Sequence, residues 1–187
     1  LGILMGKIYQ KRKGRSWILR QKSSELWPKW INILQSYNPN LRIEKPLYQL
    51  TNDLKKFNKL TNFANNNQHD DLETVEADSS ILDPISEIFK GNKLQGIISH
   101  QDGRINPKVL LETLNIALKS KNIKTINNQI TKIRKNNKKW NLVLKTGEIL
   151  ISEIVILCNS LDSLNLIDPE LYDIKLKPVL GQAVEIF

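Results

Sequence analysis

The stretch from Asn106 through Ile126 constrains this chain more than any other. Asn106 followed by Pro107 is a helix start, because Asn is a favoured N-cap and Pro suits the first helical position. Val109, Leu110, Leu114, Ala117 and Leu118 recur at helical spacing, so the helix carries an apolar stripe that must be covered. Lys119 and Lys121 sit where the helix dipole favours positive charge, and Asn122 suits the left-handed residue that ends a helix. Residues 123–126 then read as a short strand. A helix that feeds directly into a strand points to an α/β unit, because parallel strands need a crossover connection.

A second stretch agrees. Residues 153–158, EIVILC, are nearly all apolar and rich in β-branched side chains, as expected of a strand buried on both faces of a parallel sheet. Between the two lies a hairpin signal: residues 129–134 and 140–145 alternate apolar with polar around Asn136-Asn137-Lys138, and Thr146-Gly147 turns the chain into residues 148–151.

Upstream the pattern is different. Residues 1–14, with Gly2, Gly6 and Gly14, read as a loop. A helix is expected from Ser16, with a kink or a second start at Pro28 and a stop by Asn38-Pro39. Short strands follow at 41–43 and 47–50, then a helix at 54–63. A polar surface loop at 65–71 and a brief acidic run at 70–76 come next, then a helical turn at 81–89 and a strand at 94–99. One more strand is expected within 177–187. The fold class is therefore α/β plus α+β: part of a doubly wound, Rossmann-like domain beside an antiparallel sheet.

The chain has 187 residues, room for one good-sized domain or two small ones, with ordinary apolar (40%) and charged (25%) content. A net charge of +9 invites an acidic partner such as nucleic acid. Lys far outnumbers Arg, however, and Asn and Ile are also heavily used, which reads as a bias spread along the chain rather than a basic patch. The single cysteine, Cys158, excludes an intrachain disulfide and favours a cytoplasmic compartment. No apolar run approaches the length of a membrane span, and the N-terminal apolar run is too short for a secretory signal. Leu1 reads as an internal residue of a longer parent chain.

The common catalytic signatures are absent: no H-E-x-x-H, CxxC, nucleophile elbow or phosphate-binding P-loop. The two histidines, His69 and His100, fall in expected loops and read as surface residues. Arg12-Lys13-Gly14-Arg15 has the chemistry to grip a carboxylate or phosphate, and reads more simply as a solvated basic loop. Trp17, Trp27 and Trp30 have the chemistry of a base-stacking platform, but their helical spacing favours a packed helix face. Cys158, ending an apolar run, reads as a buried, inert thiol. Asn159 and Ser160 follow the expected parallel strand, where open α/β sheets bind ligands. They line a cofactor or merely hold the turn, and the residues leave both open.

In order, these segments resemble the FAD-dependent amino acid oxidases of the glycine oxidase and D-amino acid oxidase type. The run from Asp102 to Ile126, continued by QITKIRKNNKKWNLVLKTGEILISEIVILCNS, is similar to that family's helix, strand, hairpin and strand end. KPVLGQAVEI resembles its P-V-x-G-Q/E strand, LGILMG its small-residue loop against the flavin, and WPKWINIL to LYQLTND its helix and first substrate-domain strands. The resemblance covers essentially the whole chain. It departs at Asn159, where the family often has Gly. It also implies that a G-x-G-x-x-G belongs before Leu1 and a substrate-carboxylate Arg after Phe187, so an internal fragment lacking both ends is expected, inactive and weak in FAD binding by itself.

The resemblance implies a flavin oxidoreductase acting on a small amino acid or amine, with FAD as cofactor. Its expected layout is flavin-domain loop and helices in 1–40, part of the substrate domain in 41–98, part of the FAD-binding domain in 99–176 and a returning strand in 177–187. Gly2, Leu4, Met5, Ile130, Cys158, Asn159 and Ser160 are expected at the cofactor, and Arg12 and Arg15 at the substrate. No catalytic side chain, metal site, nucleic-acid partner or transmembrane segment is implied, and a homodimer would be one induced by truncation. The rival readings are a basic α+β nucleic-acid-binding module and an interaction module without catalysis.

Overall fold

A computed structural model describes residues 2–76 and 94–166. The chain divides into two compact units, Leu1–Ile123 and Lys124–Phe187. The helical turn expected at 81–89 and the strand expected within 177–187 lie outside the described residues.

In chain order the first unit reads β1 (Ile3–Leu4), α1 (Arg15–Gln35), β2 (Ile43–Glu44), β3 (Leu47–Thr51), α2 (Leu54–Asn65), β4 (Leu72–Val75), β5 (Gln95–Ser99), β6 (Gly103–Ile105) and α3 (Pro107–Ser120). Two three-stranded antiparallel sheets result, ordered β1-β6-β2 and β3-β5-β4. The expected loop at 1–14 thus contains a short strand, Ile3 and Leu4 pairing with Arg104 and Gly103. The acidic run holds β4, paired to β5, and a 3-10 turn at Gln68–Asp70 interrupts the polar loop before it.

Period-two alternation explains the β3-β5-β4 sheet. In its central strand Ile97 packs with Leu60 and Ala64 of α2 and with Ile8, while Ile98 packs with Val75 on the other face. Gly96 allows the close approach of β3, since a Cβ there would stand 2.0 Å from the Gln49 carbonyl oxygen. Asp53 caps α2, its carboxylate accepting the N–H of Lys55 at 2.8 Å and of Lys56 at 3.2 Å.

The Asn106 cap forms as the sequence predicts, its side-chain oxygen accepting the N–H groups of Lys108 (3.0 Å) and Val109 (3.4 Å), with Pro107 opening α3. Asn122 closes the helix in the left-handed region at φ 53°. Most of the stripe is covered: Val109, Leu110 and Leu114, each half-buried, pack on the buried Ile31, Leu34, Leu41 and Ile105. Fully burying a side chain of this kind contributes about 1.5–3 kcal/mol before entropy is counted, and half-burial correspondingly less. The helix α1 continues unbroken through Pro28, and its C-terminal half is held by the packing of Trp27, Ile31 and Leu34.

The second unit is a meander, β7 (Ile130–Asn136), β8 (Lys139–Leu144) and β9 (Ile149–Ser152), antiparallel in that order. Asn137 at φ 54° and Gly147 at φ 88° make its two turns, where the sequence places them.

The parallel strands do not form. Residues 123–126 and 154–158 carry no strand, and every pairing among the described residues is antiparallel. A strand of a parallel sheet needs ladder partners and a cover on each face. Among the described residues neither segment has them, and Ile154 and Ile156 stand 75% and 81% exposed. Cys158 is exposed for the same reason, which corrects the reading of a buried thiol.

Candidate functional site

The segment from Leu4 to Arg12 gathers the most concentrated polar network of the first unit. Gly6 and Lys7 donate their backbone N–H groups to Asp102 Oδ1 at 2.8 and 3.0 Å, and Ile8 donates to Asp102 Oδ2 at 2.6 Å. The carbonyl oxygens of the same segment are also held. Met5 O accepts from Arg20 at 3.1 Å, and Lys7 O accepts from Arg12 at 2.7 Å. Gly6 lies close to α1, where a Cβ would stand 2.4 Å from Ser24 Oγ and 3.3 Å from Ser24 Cβ.

A second carboxylate, Asp70, is buried beneath the segment. Lys7 Nζ reaches it at 2.9 Å, and the Arg12 guanidinium pairs with its other oxygen. Burial pushes the Asp70 carboxyl up, but hydrogen bonds from Lys7 and Arg12, joined by their charges, outweigh it and hold the group below its ordinary range. Arg12 also donates to Asn67 Oδ1 at 2.8 Å, and its guanidinium lies 5.3 Å from the Trp17 ring centre and 4.8 Å from that of Phe63.

The expected site residues fall in two groups. In the first unit Gly2, Leu4 and Met5 lie close together in the chain and are half-buried, with the exposed Ile3 between the first two. Gly2, at φ 59°, accepts the Ile105 N–H at 2.8 Å, Leu4 lies in β1, and the Met5 side chain packs on the Ile8–Ile97 cluster. Arg12 is engaged inside the fold, its two terminal nitrogens held by Asp70, Asn67 and the Lys7 carbonyl, whereas Arg15 is exposed at the start of α1. In the second unit Ile130 is half-buried at the start of β7, opposite Leu144. Cys158, Asn159 and Ser160 are exposed, with Asn159 Oδ1 accepting the Ser163 hydroxyl at 2.6 Å and Ser160 at φ 53°.

Sequence reasoning missed Asp70, Asp102, Lys7 and Arg20. Asp102-Gly103 reads as a turn pair, and only its place before a strand and a capped helix hints at more. Nothing local marks Asp70. The tryptophan platform is dispersed: Trp17 stacks on Tyr9 at 6.5 Å, Trp27 packs in the core, and Trp30 is 53% exposed. Both histidines are solvent-facing, with His100 3.0 Å from Glu73, and no cluster able to hold a metal occurs among the described residues.

A family profile described as FAD dependent oxidoreductase matches residues 1–186. The chain belongs to the FAD-dependent oxidoreductase family. Two solved structures similar to it are glycine oxidases. The enzyme from Geobacillus kaustophilus superposes with TM-score 0.71 at 17% identity, over 88% of this chain and 45% of that one. The enzyme from Bacillus cereus ATCC 14579 gives 0.65 at 17% identity, over 88% and 46%. Iminodiacetate oxidase from Chelativorans sp. BNC1 gives 0.58 at 12% identity, over 80% and 41%. At these identities the likeness is one of fold, and the chain spans less than half the length of each of these oxidases. No match is found among curated proteins by sequence.

FAD is the cofactor of this oxidoreductase family. The chemistry of the residues expected at it can be compared with its parts. Gly2, Leu4, Met5 and Ile130 are small or apolar, and Cys158, Asn159 and Ser160 are neutral and exposed. That set suits a flat apolar ring and a neutral adenosine, and includes no cation for a pyrophosphate. No helix among the described residues is long and apolar enough to cross a membrane.

Proposed function

We propose that this chain is part of an FAD-dependent oxidase acting on a small amino acid or amine. The observation that carries the reading is the family match over residues 1–186, joined to the glycine oxidase fold over 88% of the chain. On this reading residues 1–40 and 99–176 belong to the FAD-binding domain, and 41–98 and 177–187 to the substrate domain. FAD, when bound, supplies a two-electron acceptor for oxidation at the carbon beside the amine. The chain's own residues bind, orient and exclude water.

The segment from Leu4 to Ile8, with Gly2, offers the flavin ring a backbone already fixed from within. The Ile130 main chain meets the adenine, and Cys158, Asn159 and Ser160 edge the cofactor. Arg15, exposed, is the cation available to a substrate carboxylate, whereas Arg12 shapes the loop. A cytoplasmic location, an inactive isolated chain and a homodimer belong to the same reading.

The test is to express the complete reading frame that contains this chain and record its visible spectrum before and after adding glycine or iminodiacetate without oxygen. A flavin that copurifies and bleaches supports the proposal. A colourless protein removes it, as does a flavin that no small amino acid or amine reduces.

A further inference from the structure

Three consecutive backbone donors, Gly6, Lys7 and Ile8, converge on one carboxylate 94 to 96 residues away in sequence. Asp102 is 5% exposed, and among the described residues no side-chain cation pairs with it. Amide dipoles alone face its charge, in the manner of a backbone nest. Its own N–H donates to Ser99 Oγ at 3.1 Å, which ties the carboxylate to the end of β5, the buried central strand. Arg20 and Arg12 hold the opposite side of the loop at Met5 O and Lys7 O. The loop therefore takes its shape from contacts made by the chain's own side chains and needs no ligand to define it.

We propose that Asp102 is a positioning residue for the cofactor: through the amides of Gly6, Lys7 and Ile8 it fixes the Leu4–Ile8 backbone that faces FAD, without touching FAD itself. This rests on the proposed function, in which that loop lies against the flavin. Only an acceptor on both oxygens satisfies all three donors. The near-isosteric Asp102→Asn replaces one oxygen with an NH2 group that opposes a backbone N–H, so one donor loses its partner and the loop loses its fixed shape.

The experiment compares wild type, Asp102→Asn and the milder Ser99→Ala, with Ile98→Val as a control on the far face of β5. Amide hydrogen exchange is measured at residues 6–8 and at Ile97 and Ile98 in this chain. The visible spectrum and midpoint potential of the bound flavin are measured in protein from the complete reading frame. The expected result for Asp102→Asn is exchange at residues 6–8 faster by about tenfold or more, little change at Ile97 and Ile98, and an altered flavin spectrum and potential. Ile98→Val should alter neither loop nor flavin. If Asp102→Asn also frees the β5 amides, Ser99→Ala is read by the same criteria. A loosened loop with an unaltered flavin, or a loop that keeps its protection, overturns the proposal while the oxidase reading stands. Wild-type protein that binds no flavin overturns both.

Discussion

The Arg12 guanidinium is sealed against the Asp70 carboxylate, their side chains 21% and 3% exposed, between the rings of Trp17 and Phe63. That pairing joins the loop before α1 to the 3-10 turn after α2, elements about 58 residues apart in sequence. It also explains why a run that reads as a basic surface loop contributes one internal Arg and one external Arg.

Removing one partner of such a pair leaves the other charge poorly solvated. Arg12→Ala should therefore destabilise the first unit by about 3 kcal/mol, partly through lost stacking, and Asp70→Asn by a similar amount. The double substitution should cost clearly less than the sum. Urea denaturation followed by tryptophan fluorescence checks this, and additive losses would show that the pair is not coupled.

Acid sensitivity has a definite sign. The folded Asp70 carboxyl is held below its ordinary value, so between the two values the unfolded chain binds more protons than the folded one. The stabilisation is complete above about pH 4, the unfolded carboxylate range, and is lost as pH falls through the lowered folded value. Urea midpoints measured from pH 7 to pH 3 should fall more steeply for wild type than for Asp70→Asn, and parallel curves would contradict the assignment. Because Lys7 is 39% exposed, added salt should weaken its share of the effect.

Local signals were the legible ones. The Asn106-Pro107 cap, the Asn122 stop, the Asn137 and Gly147 turns and the α2 helix all depend on residues within one turn of each other, and all are found. What was illegible is long-range. Asp102 and Asp70 acquire meaning only when chain 58 to 96 residues away folds back on them, which no periodicity encodes. The segment 153–158 fails for a related reason. An apolar β-branched run states that a strand is wanted but not where its neighbours are, and the antiparallel meander before it forms from contacts within itself.

The cap itself is measurable. Asn106→Ala removes the acceptor for two N–H groups and should cost about 1 kcal/mol, while Asn106→Asp should be neutral or slightly stabilising because it adds negative charge at the helix N-terminus. Thermal unfolding of both variants decides it. Equal losses in the two would mean that the amide geometry, not the acceptor oxygen, matters.

Gly96 is predicted to be far less replaceable than Gly147. A Cβ at that position would stand 2.0 Å from the Gln49 carbonyl oxygen and 3.0 Å from Leu50 Cα, both backbone atoms of β3 that cannot rotate away. Gly96→Ala should force β3 and β5 apart and cost about 3 kcal/mol or more, whereas Gly147→Ala, with nothing near its Cβ but φ 88°, should cost only about 1 kcal/mol of backbone strain. Denaturant midpoints of the two variants, ranked against wild type, check the order.

Cys158 reports on whether residues 154–158 gain a cover. In this chain the thiol is exposed, with Ile154 and Ile156 bare beside it, so a maleimide should label it under native conditions at nearly the rate of an unhindered thiol. If the segment serves as an inner strand of an FAD-binding domain, the flavin-loaded protein from the complete reading frame will bury it and slow labelling by about tenfold or more. Equal rates in the two preparations would mean that the apolar run stays outside any sheet, and that the family's flavin domain is built in this protein without it.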